Sequence, residues 1–390
     1  MNPFIVLGIA LIVGVLFGKF LNKLKIPAVA GYIIAGLLLG KSGFDIISSG
    51  FIEDLSFISD FALGIIAFNI GSELELSVIK KLGKSIFIIA ICEALGAFIL
   101  VTGITFLITK DMAIALILGA VSSATAPAAT VMVLREYNAN GPLTSTLLGV
   151  VAVDDAICLM IYAIASSIAK VFIKHEVITL YKVVVYPVQE IILSIIVGGI
   201  IGILLAYLIK ISTKEMEMIS FIIGIIILTD GIATMLTLSP LLTSMSLGIM
   251  VANISSNHKR AFSSIERFSP PIITVFFILA GARLDISLIP KIGLIGIAYL
   301  ILRITGKIAG ASLGGVISKA SDTVRRYIGL GLLSQVGVAV GLAIVVNREF
   351  AGTKLGNIVI TILLATTIIT EIIGPVATKY AIIKAKETNL

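Results

Sequence analysis

Apolar stretches recur from one end of this chain to the other, and they constrain its fold more than any other feature. An α-helix needs about twenty apolar residues to cross the hydrocarbon core of a bilayer, whereas the strands of an outer-membrane barrel show short alternating segments. Hydrophobic residues make up 58% of the 390-residue sequence and charged residues only 13%, which is more apolar than a soluble domain of this length tolerates. The sequence therefore predicts an all-α integral membrane protein.

Charged residues and Gly/Pro clusters divide the apolar sequence into about thirteen candidate transmembrane helices. The candidates run near 3–21, 27–41, 53–72, 79–108, 112–134, 143–170, 183–210, 216–230, 235–253, 268–283, 288–316, 324–346 and 355–379. The first run has no basic residue before it and no small-residue cleavage site. We therefore expect it to be a span and not a removable signal peptide.

The formal net charge of +7 comes from Lys and Arg residues that lie mostly in short loops between the apolar runs. Such residues orient helices in a bilayer, so the positive charge does not indicate a nucleic-acid partner. More of them fall on the side opposite the amino terminus. Because basic loops tend to stay in the cytoplasm, the sequence predicts a multi-pass plasma-membrane protein with its N-terminus outside and its C-terminus cytoplasmic.

The chain resembles itself at an offset of about 210 residues. Residues 71–77 match 281–287, and residues 81–83 then match 291–293 without a gap. Each predicted copy contains six helices, and one extra helix near 183–210 lies between them, so equivalent helices are an odd number of spans apart and are inverted. Inverted repeats around a site at the bilayer midplane are the architecture of many secondary transporters.

Two polar patches interrupt predicted spans at corresponding positions of the two copies. The first contains Ser122, Ser123, Ala124, Thr125, Ala126 and Pro127, and the second contains Leu333, Ser334, Gln335, Val336 and Gly337. Proline removes a backbone donor and clashes with the preceding turn, so we expect the first helix to break there. Either patch alone also fits a kinked packing helix. Paired breaks favour a substrate site, since unwound backbone at membrane depth must be buried in protein or line a cavity.

Two adjacent carboxylates, Asp154 and Asp155, lie in the middle of the apolar run 147–169. A carboxylate at this depth costs about 2.5–3.5 kcal/mol on insertion scales, so the pair indicates an ion or proton pathway. Adjacent like charges do not both ionise cheaply, and such a pair can therefore bind or release a proton. A group that accepts either a proton or a cation couples the two by competition.

Arg303 and Lys307 are one helical turn apart and share a face of the eleventh predicted helix. The repeat places Arg303 opposite Glu93, so we expect these two residues to form a buried structural ion pair, with Lys307 left to face Asp154. A buried lysine can lose its proton whereas arginine stays charged, which makes Lys307 the candidate for a titrating partner. The alternatives are a single static network of all four charges, or a pairing of Asp154 with Arg303.

Two sequence motifs resemble those of a known family. Residues 151–156, Val-Ala-Val-Asp-Asp-Ala, are similar to the paired-aspartate motif of the monovalent cation:proton antiporters, and residues 306–310, Gly-Lys-Ile-Ala-Gly, are similar to their Gly-Lys-x-x-Gly motif. The resemblance implies that Asp155 binds Na⁺ and exchanges it for protons. It also implies that Asp154 pairs with Lys307 and that Thr125 lies beside the ion.

The resemblance further implies how the chain divides. Residues 79–174 and 288–390 would form a mobile core for ion translocation, residues 1–78 and 211–287 a scaffold that dimerises, and residues 175–210 a linker helix. The core would move across the membrane relative to the scaffold of a homodimer. No cofactor is implied beyond the transported Na⁺ and H⁺.

The function predicted from these features is a sodium:proton antiporter that works by alternating access. A potassium:proton antiporter, or a sodium-coupled organic-anion symporter on a related fold, is the alternative, because the residues fix neither the ion nor the stoichiometry. An intramembrane aspartyl protease also buries two aspartates. Adjacent residues on one helix point about 100° apart, however, so a shared catalytic water is disfavoured and we do not expect an enzyme.

Overall fold

The computed structural model describes residues 2–23, 28–173, 185–284 and 289–388, and within these ranges the regular structure is helical with no strand. The helices are α1 (Pro3–Lys23), α2 (Ala28–Leu39), α3 (Ser49–Asp54), α4 (Ser56–Glu73), α5 (Leu76–Thr109), α6 (Met112–Ser122), α7 (Pro127–Glu136), α8 (Pro142–Ile173), α9 (Tyr186–Ile211), α10 (Glu215–Met235), α11 (Pro240–Ile254), α12 (His258–Phe268), α13 (Pro270–Ala282), α14 (Ile289–Ile317), α15 (Asp322–Tyr327), α16 (Gly337–Glu349) and α17 (Lys354–Lys384). A 3-10 turn, Ile328–Leu332, follows α15. The start of the predicted linker, 175–184, and repeat residues 285–287 lie outside the described residues.

Seven helices in the described part of the chain are long and apolar enough to cross a membrane. They are α1, α5 from Gly83 onward, α8, α9, α10, α14 and α17. Two bent pairs raise the number to as many as nine: α12 with α13, bent by 52°, and the α15 and 3-10 segment with α16, bent by 48°. The predicted all-helical membrane fold is confirmed. The count of thirteen spans stays a prediction, because α2, α4, α6 and α11 are shorter apolar helices.

Both predicted helix breaks are present. Helix α6 ends at Ser122 and α7 begins at Pro127, and the residues between them are not helical. In the second half, residues 333–336 separate the 3-10 turn from α16, which begins at Gly337. Pro127 thus starts the second half-helix and does not sit inside the unwound stretch, because its missing N–H has no partner to lose at a first helical position.

The chain divides into two compact units, each built from segments that are distant in sequence. The first unit comprises Met1–Glu53, Leu82–Cys158 and Phe277–Leu390. In it α17 packs against α6, α7, α16 and the 3-10 turn, and α14 packs against α17 and the same turn. Both helix breaks and both aspartates of α8 therefore belong to one packed body.

The second unit comprises Asp54–Lys81 and Leu159–Phe276. Helix α11 packs against α4 and α9, and α10 packs against α9 and α12. Buried apolar residues such as Phe68, Ile226 and Leu247 form its core. The predicted core, scaffold and linker are distinguished by how they would move, which one structure does not test. That division of the chain stays a prediction, and so does the inverted repeat.

Candidate ion-binding site

The ammonium group of Lys307 lies at the centre of a buried polar cluster in the first unit. It donates to Glu93 Oε2 at 2.7 Å, to the Ser123 carbonyl at 2.6 Å and to the Thr125 hydroxyl at 2.6 Å. These three acceptors match the three donors of an ammonium group. Asp154 Oδ2 lies 3.5 Å from the same nitrogen. Lys307 therefore connects α5, the first helix break and α8.

Arg303 holds the two helix breaks together. Its guanidinium donates to the carbonyls of Leu333 at 2.6 Å, Ala124 at 2.8 Å and Ser334 at 3.3 Å. The Ala126 amide also donates to the Ser334 carbonyl at 2.9 Å, so the two unwound segments contact each other directly. Unwound backbone leaves carbonyls without helical partners, and the five N–H groups of an arginine satisfy several of them at once.

The predicted ion pair between Glu93 and Arg303 is wrong. Glu93 instead makes its salt bridge with Lys307, and both side chains are fully buried. The repeat placed Glu93 and Arg303 at equivalent positions, but it gave no account of the backbone carbonyls that compete for the guanidinium. Lys307 does lie beside Asp154, although its contact with Glu93 is the shorter one.

The second break is linked to the first by a side chain as well as by backbone. The Gln335 amide nitrogen donates to the Val121 carbonyl at 2.9 Å and contacts the Tyr299 hydroxyl at 2.9 Å. The Thr130 hydroxyl donates to the Gly331 carbonyl at 2.7 Å. The sequence analysis did not predict a role for Tyr299, because a single aromatic residue in an apolar helix does not indicate that its hydroxyl makes a buried hydrogen bond.

The two aspartates of α8 have different surroundings. Asp154 is 0% exposed, and its carboxylate lies 3.5 Å from the Lys307 ammonium. Asp155 is 8% exposed. Successive helical residues point about 100° apart, which turns Asp155 away from the direction of Lys307. Both aspartates are therefore buried, and Asp155 keeps a small exposed fraction that Asp154 lacks.

Two glycines of α14 explain how Lys307 reaches Glu93. A Cβ atom at Gly306 would lie 2.7 Å from the Ala97 Cα, and one at Gly310 would lie 2.9 Å from the Glu93 Cα. Such distances are too short for a side chain, so the backbones of α5 and α14 approach closely only because both positions are glycine. The spacing of the Gly-Lys-x-x-Gly motif therefore places the lysine where these two helices are in close contact.

Replacing Gly310 with Ala is expected to destabilise the protein by about 1–3 kcal/mol, because the added methyl group overpacks the contact with α5. Gly296 on the same helix is the matched control, since a Cβ there meets nothing within 4 Å. We expect Gly296→Ala to be neutral or stabilising by roughly 0.5–1 kcal/mol, as is usual for an unhindered helical glycine. Thermal unfolding of the detergent-solubilised variants measures both effects, and equal melting temperatures would contradict the close-packing argument.

The chain is similar to known transport proteins along nearly its whole length. A family model described as sodium/hydrogen exchanger, transmembrane, matches residues 7–379. A Na⁺/H⁺ antiporter of Enterococcus hirae is 24% identical over 369 residues, which is 92% of each chain. The ammonium/H⁺ antiporter subunit AmhT of Alkalihalophilus pseudofirmus is 25% identical over 348 residues, which covers 88% of this chain and 83% of that one.

The fold is also similar to that of a solved structure. The sodium proton antiporter MjNhaP1 from Methanocaldococcus jannaschii, determined at pH 8, superposes with a TM-score of 0.79 at 19% sequence identity. The similarity covers 98% of both chains. The described helices thus follow the same architecture from one end to the other.

Proposed function

This chain belongs to the sodium/hydrogen exchanger family of cation:proton antiporters, and from that premise we propose that it exchanges sodium for protons across the plasma membrane by alternating access. The family is one of transporters and not of enzymes, and its members need no cofactor because the transported ions are their substrates. The observation that carries the proposal is the buried cluster at the first helix break. There Lys307 contacts Thr125 and Glu93 and lies beside Asp154, next to Asp155 on α8.

In the proposed mechanism Asp155 binds Na⁺, and the Thr125 hydroxyl lies beside the ion. Two of the three oxygens that accept from Lys307, the Thr125 hydroxyl and the Ser123 carbonyl, are hard neutral oxygens of the kind that suits a small alkali cation. The Lys307 ammonium and an incoming Na⁺ are both cations seeking the same oxygens and carboxylates. Their mutual repulsion gives a physical reason for the site to alternate between a state held by Lys307 and a state that holds sodium.

Protons and sodium compete because both neutralise the same buried carboxylate. An uncompensated charge at this depth is costly, so Asp155 leaves the water-accessible side only with a proton or a cation bound. Carrying sodium one way and protons the other then produces exchange without a covalent step. The proposed mobile core is residues 79–174 and 288–390, which moves against a dimeric scaffold of residues 1–78 and 211–287 joined by the linker 175–210. The proposed orientation has the N-terminus outside.

Proton flux in proteoliposomes tests the proposed ion. The purified protein is reconstituted with an acid interior, and sodium, lithium, potassium and ammonium are added outside in turn while a pH-sensitive dye reports the interior. We expect sodium and lithium to raise the interior pH. Potassium and ammonium are the competing candidates, the latter because one relative is named for ammonium. A response to either of them above that of protein-free vesicles, without a response to sodium, would reassign the substrate; the protein-free vesicles are needed because NH3 crosses the bilayer and itself raises the interior pH.

A membrane-potential dye in the same vesicles tests the stoichiometry. If Lys307 releases a proton when sodium binds, more than one proton is exchanged per sodium and transport generates a potential. If Lys307 stays charged throughout, exchange can be electroneutral. The experiment therefore reports on the chemistry of Lys307 as well as on the ion count.

A further inference from the structure

The helix that carries both aspartates lacks a cap of its own. Helix α8 begins at Pro142, which has no N–H, and the residue before it is Gly141, which has no side chain. The first unsatisfied amides are therefore those of Leu143 and Thr144. By contrast, α6 is capped locally, since the side chain of Asp111 accepts from the amides of its first turn.

The missing cap is supplied by Glu387, which is 245 residues later in the sequence than Pro142. The Glu387 carboxylate accepts from the Leu143 amide at 2.7 Å, from the Thr144 amide at 2.8 Å and from the Thr144 hydroxyl at 2.8 Å. The Asn140 amide donates to the Glu387 carbonyl at 2.9 Å. Although Glu387 lies beyond the end of α17, its side chain is buried, with a relative exposure of 6%. A carboxylate in this position also interacts favourably with the positive end of the helix dipole.

Local backbone geometry directs Glu387 to this position. After α17 ends at Lys384, Lys386 adopts a left-handed conformation with φ of +57°. The Glu387 amide donates back to the Ile382 carbonyl at 3.1 Å, and the Lys386 amide to the Ile383 carbonyl at 3.1 Å. This pair of bonds is the Schellman arrangement, which closes a helix and turns the chain sharply aside. The contact with α8 therefore follows from a fixed helix ending.

From this geometry we infer that Glu387 is a positioning residue for the ion site. Helix α8 runs without interruption from Pro142 to Ile173, so Asp154 and Asp155 lie about three turns, or roughly 18 Å, along a stiff helix from the cap. Helix α17 packs against α6, α7 and the 3-10 turn, which flank the two breaks. By fixing α8 to the end of α17, Glu387 sets the height of the aspartates relative to the unwound segments.

The inference rests on the proposed function, because it assigns the positioned aspartates to the cation. It predicts that loss of the cap changes cation affinity more than turnover. A displaced α8 moves the carboxylates away from the oxygens of the first break, whereas the residues that contact the ion remain present. A role in folding alone predicts lower protein yield with unchanged affinity.

Glu387→Gln is the main test, since it keeps the shape of the side chain but leaves one oxygen acceptor where the carboxylate offers two. We expect the cation concentration for half-maximal exchange to rise about threefold to tenfold, the range that corresponds to losing a helix cap, while the maximal rate changes less than about twofold. Thr144→Val removes only the hydroxyl contact with Glu387, and we expect it to raise the cation concentration for half-maximal exchange by a smaller factor. In Gly141→Ala the added methyl group would overlap the Glu387 carboxylate, and we expect it to reproduce Glu387→Gln.

The matched control is Glu266→Gln, which makes the same substitution at an exposed position of α12. Transport is measured with whichever cation the wild type exchanges, so a wrong assignment of sodium does not affect the outcome. The cation-dependent rise in melting temperature gives the affinity independently of transport. Well-folded Glu387→Gln and Thr144→Val proteins with wild-type half-saturation in both assays would overturn the positioning role.

Discussion

Replacing Asp155 with Asn is expected to abolish proton-coupled sodium exchange, with a fall of about a hundredfold or more, equivalent to roughly 3 kcal/mol. An amide keeps the size of the carboxylate but neither takes up a proton in the working range nor supplies the negative charge that a desolvated cation needs. The rate is measured in proteoliposomes as sodium-dependent alkalinisation of an acid interior. In the wild type the half-saturating sodium concentration should also rise as the pH falls, because the two ions compete.

Asp154→Asn is the matched control for this prediction, since it makes the same chemical change one residue away on α8. Asp154 is fully buried and lies 3.5 Å from the Lys307 ammonium, whereas Asp155 retains some exposed surface. We expect Asp154→Asn to slow exchange but not to eliminate it. Sodium-dependent proton movement that survives in Asp155→Asn and is lost in Asp154→Asn would reverse the assigned roles.

The breaks and the paired aspartates could be predicted because each conflicts with its surroundings. Two carboxylates within an apolar run are costly at membrane depth, and Pro127 does not fit the interior of a helix. Such features can be recognised in the sequence because each residue is unfavourable in the apolar segment that immediately surrounds it. The same is true of Gly306 and Gly310, whose spacing gave a recognisable motif before the structure explained it as close helix contact.

The ion-pair and hydrogen-bond partners of the buried charged side chains could not be predicted, because they depend on packing between segments far apart in sequence. The equivalence of Glu93 and Arg303 suggested a pair, yet the carbonyls of the unwound segments occupy the guanidinium, and Glu93 bonds to Lys307. No sequence pattern marks Glu387 as a residue that caps another helix. It lies in a short polar segment that hydropathy predicts to be exposed to solvent. Its contact with α8 is explained only by the structure, in which α8 begins at Pro142, directly after Gly141.

Replacing Lys307 with Met is expected to destabilise the protein by about 3–5 kcal/mol and to eliminate efficient exchange. Methionine keeps the volume of the side chain but leaves Glu93 and Asp154 as buried carboxylates without a cation between them, and breaking a buried ion pair from one side has a cost of this size. Thermal unfolding measures the loss, with Lys354→Met as the control at an exposed lysine. A melting temperature equal to that of the control would show that the ammonium does not stabilise the cluster.

Two double-mutant cycles then determine which carboxylate is the main partner of Lys307. The first combines Lys307→Met with Glu93→Gln, and the second combines it with Asp154→Asn. The ammonium lies 2.7 Å from Glu93 and 3.5 Å from Asp154, and only the first contact has hydrogen-bond geometry. Because charge-assisted hydrogen bonds are stronger than longer ion pairs, we expect the larger coupling energy for Glu93, by about 1 kcal/mol or more. A larger coupling for Asp154 would mean that Glu93 is a secondary contact and would restore the pairing that the family motif implies. With the expected result, Asp154 is the more weakly held carboxylate, and it remains available to respond when a cation occupies its neighbour on α8.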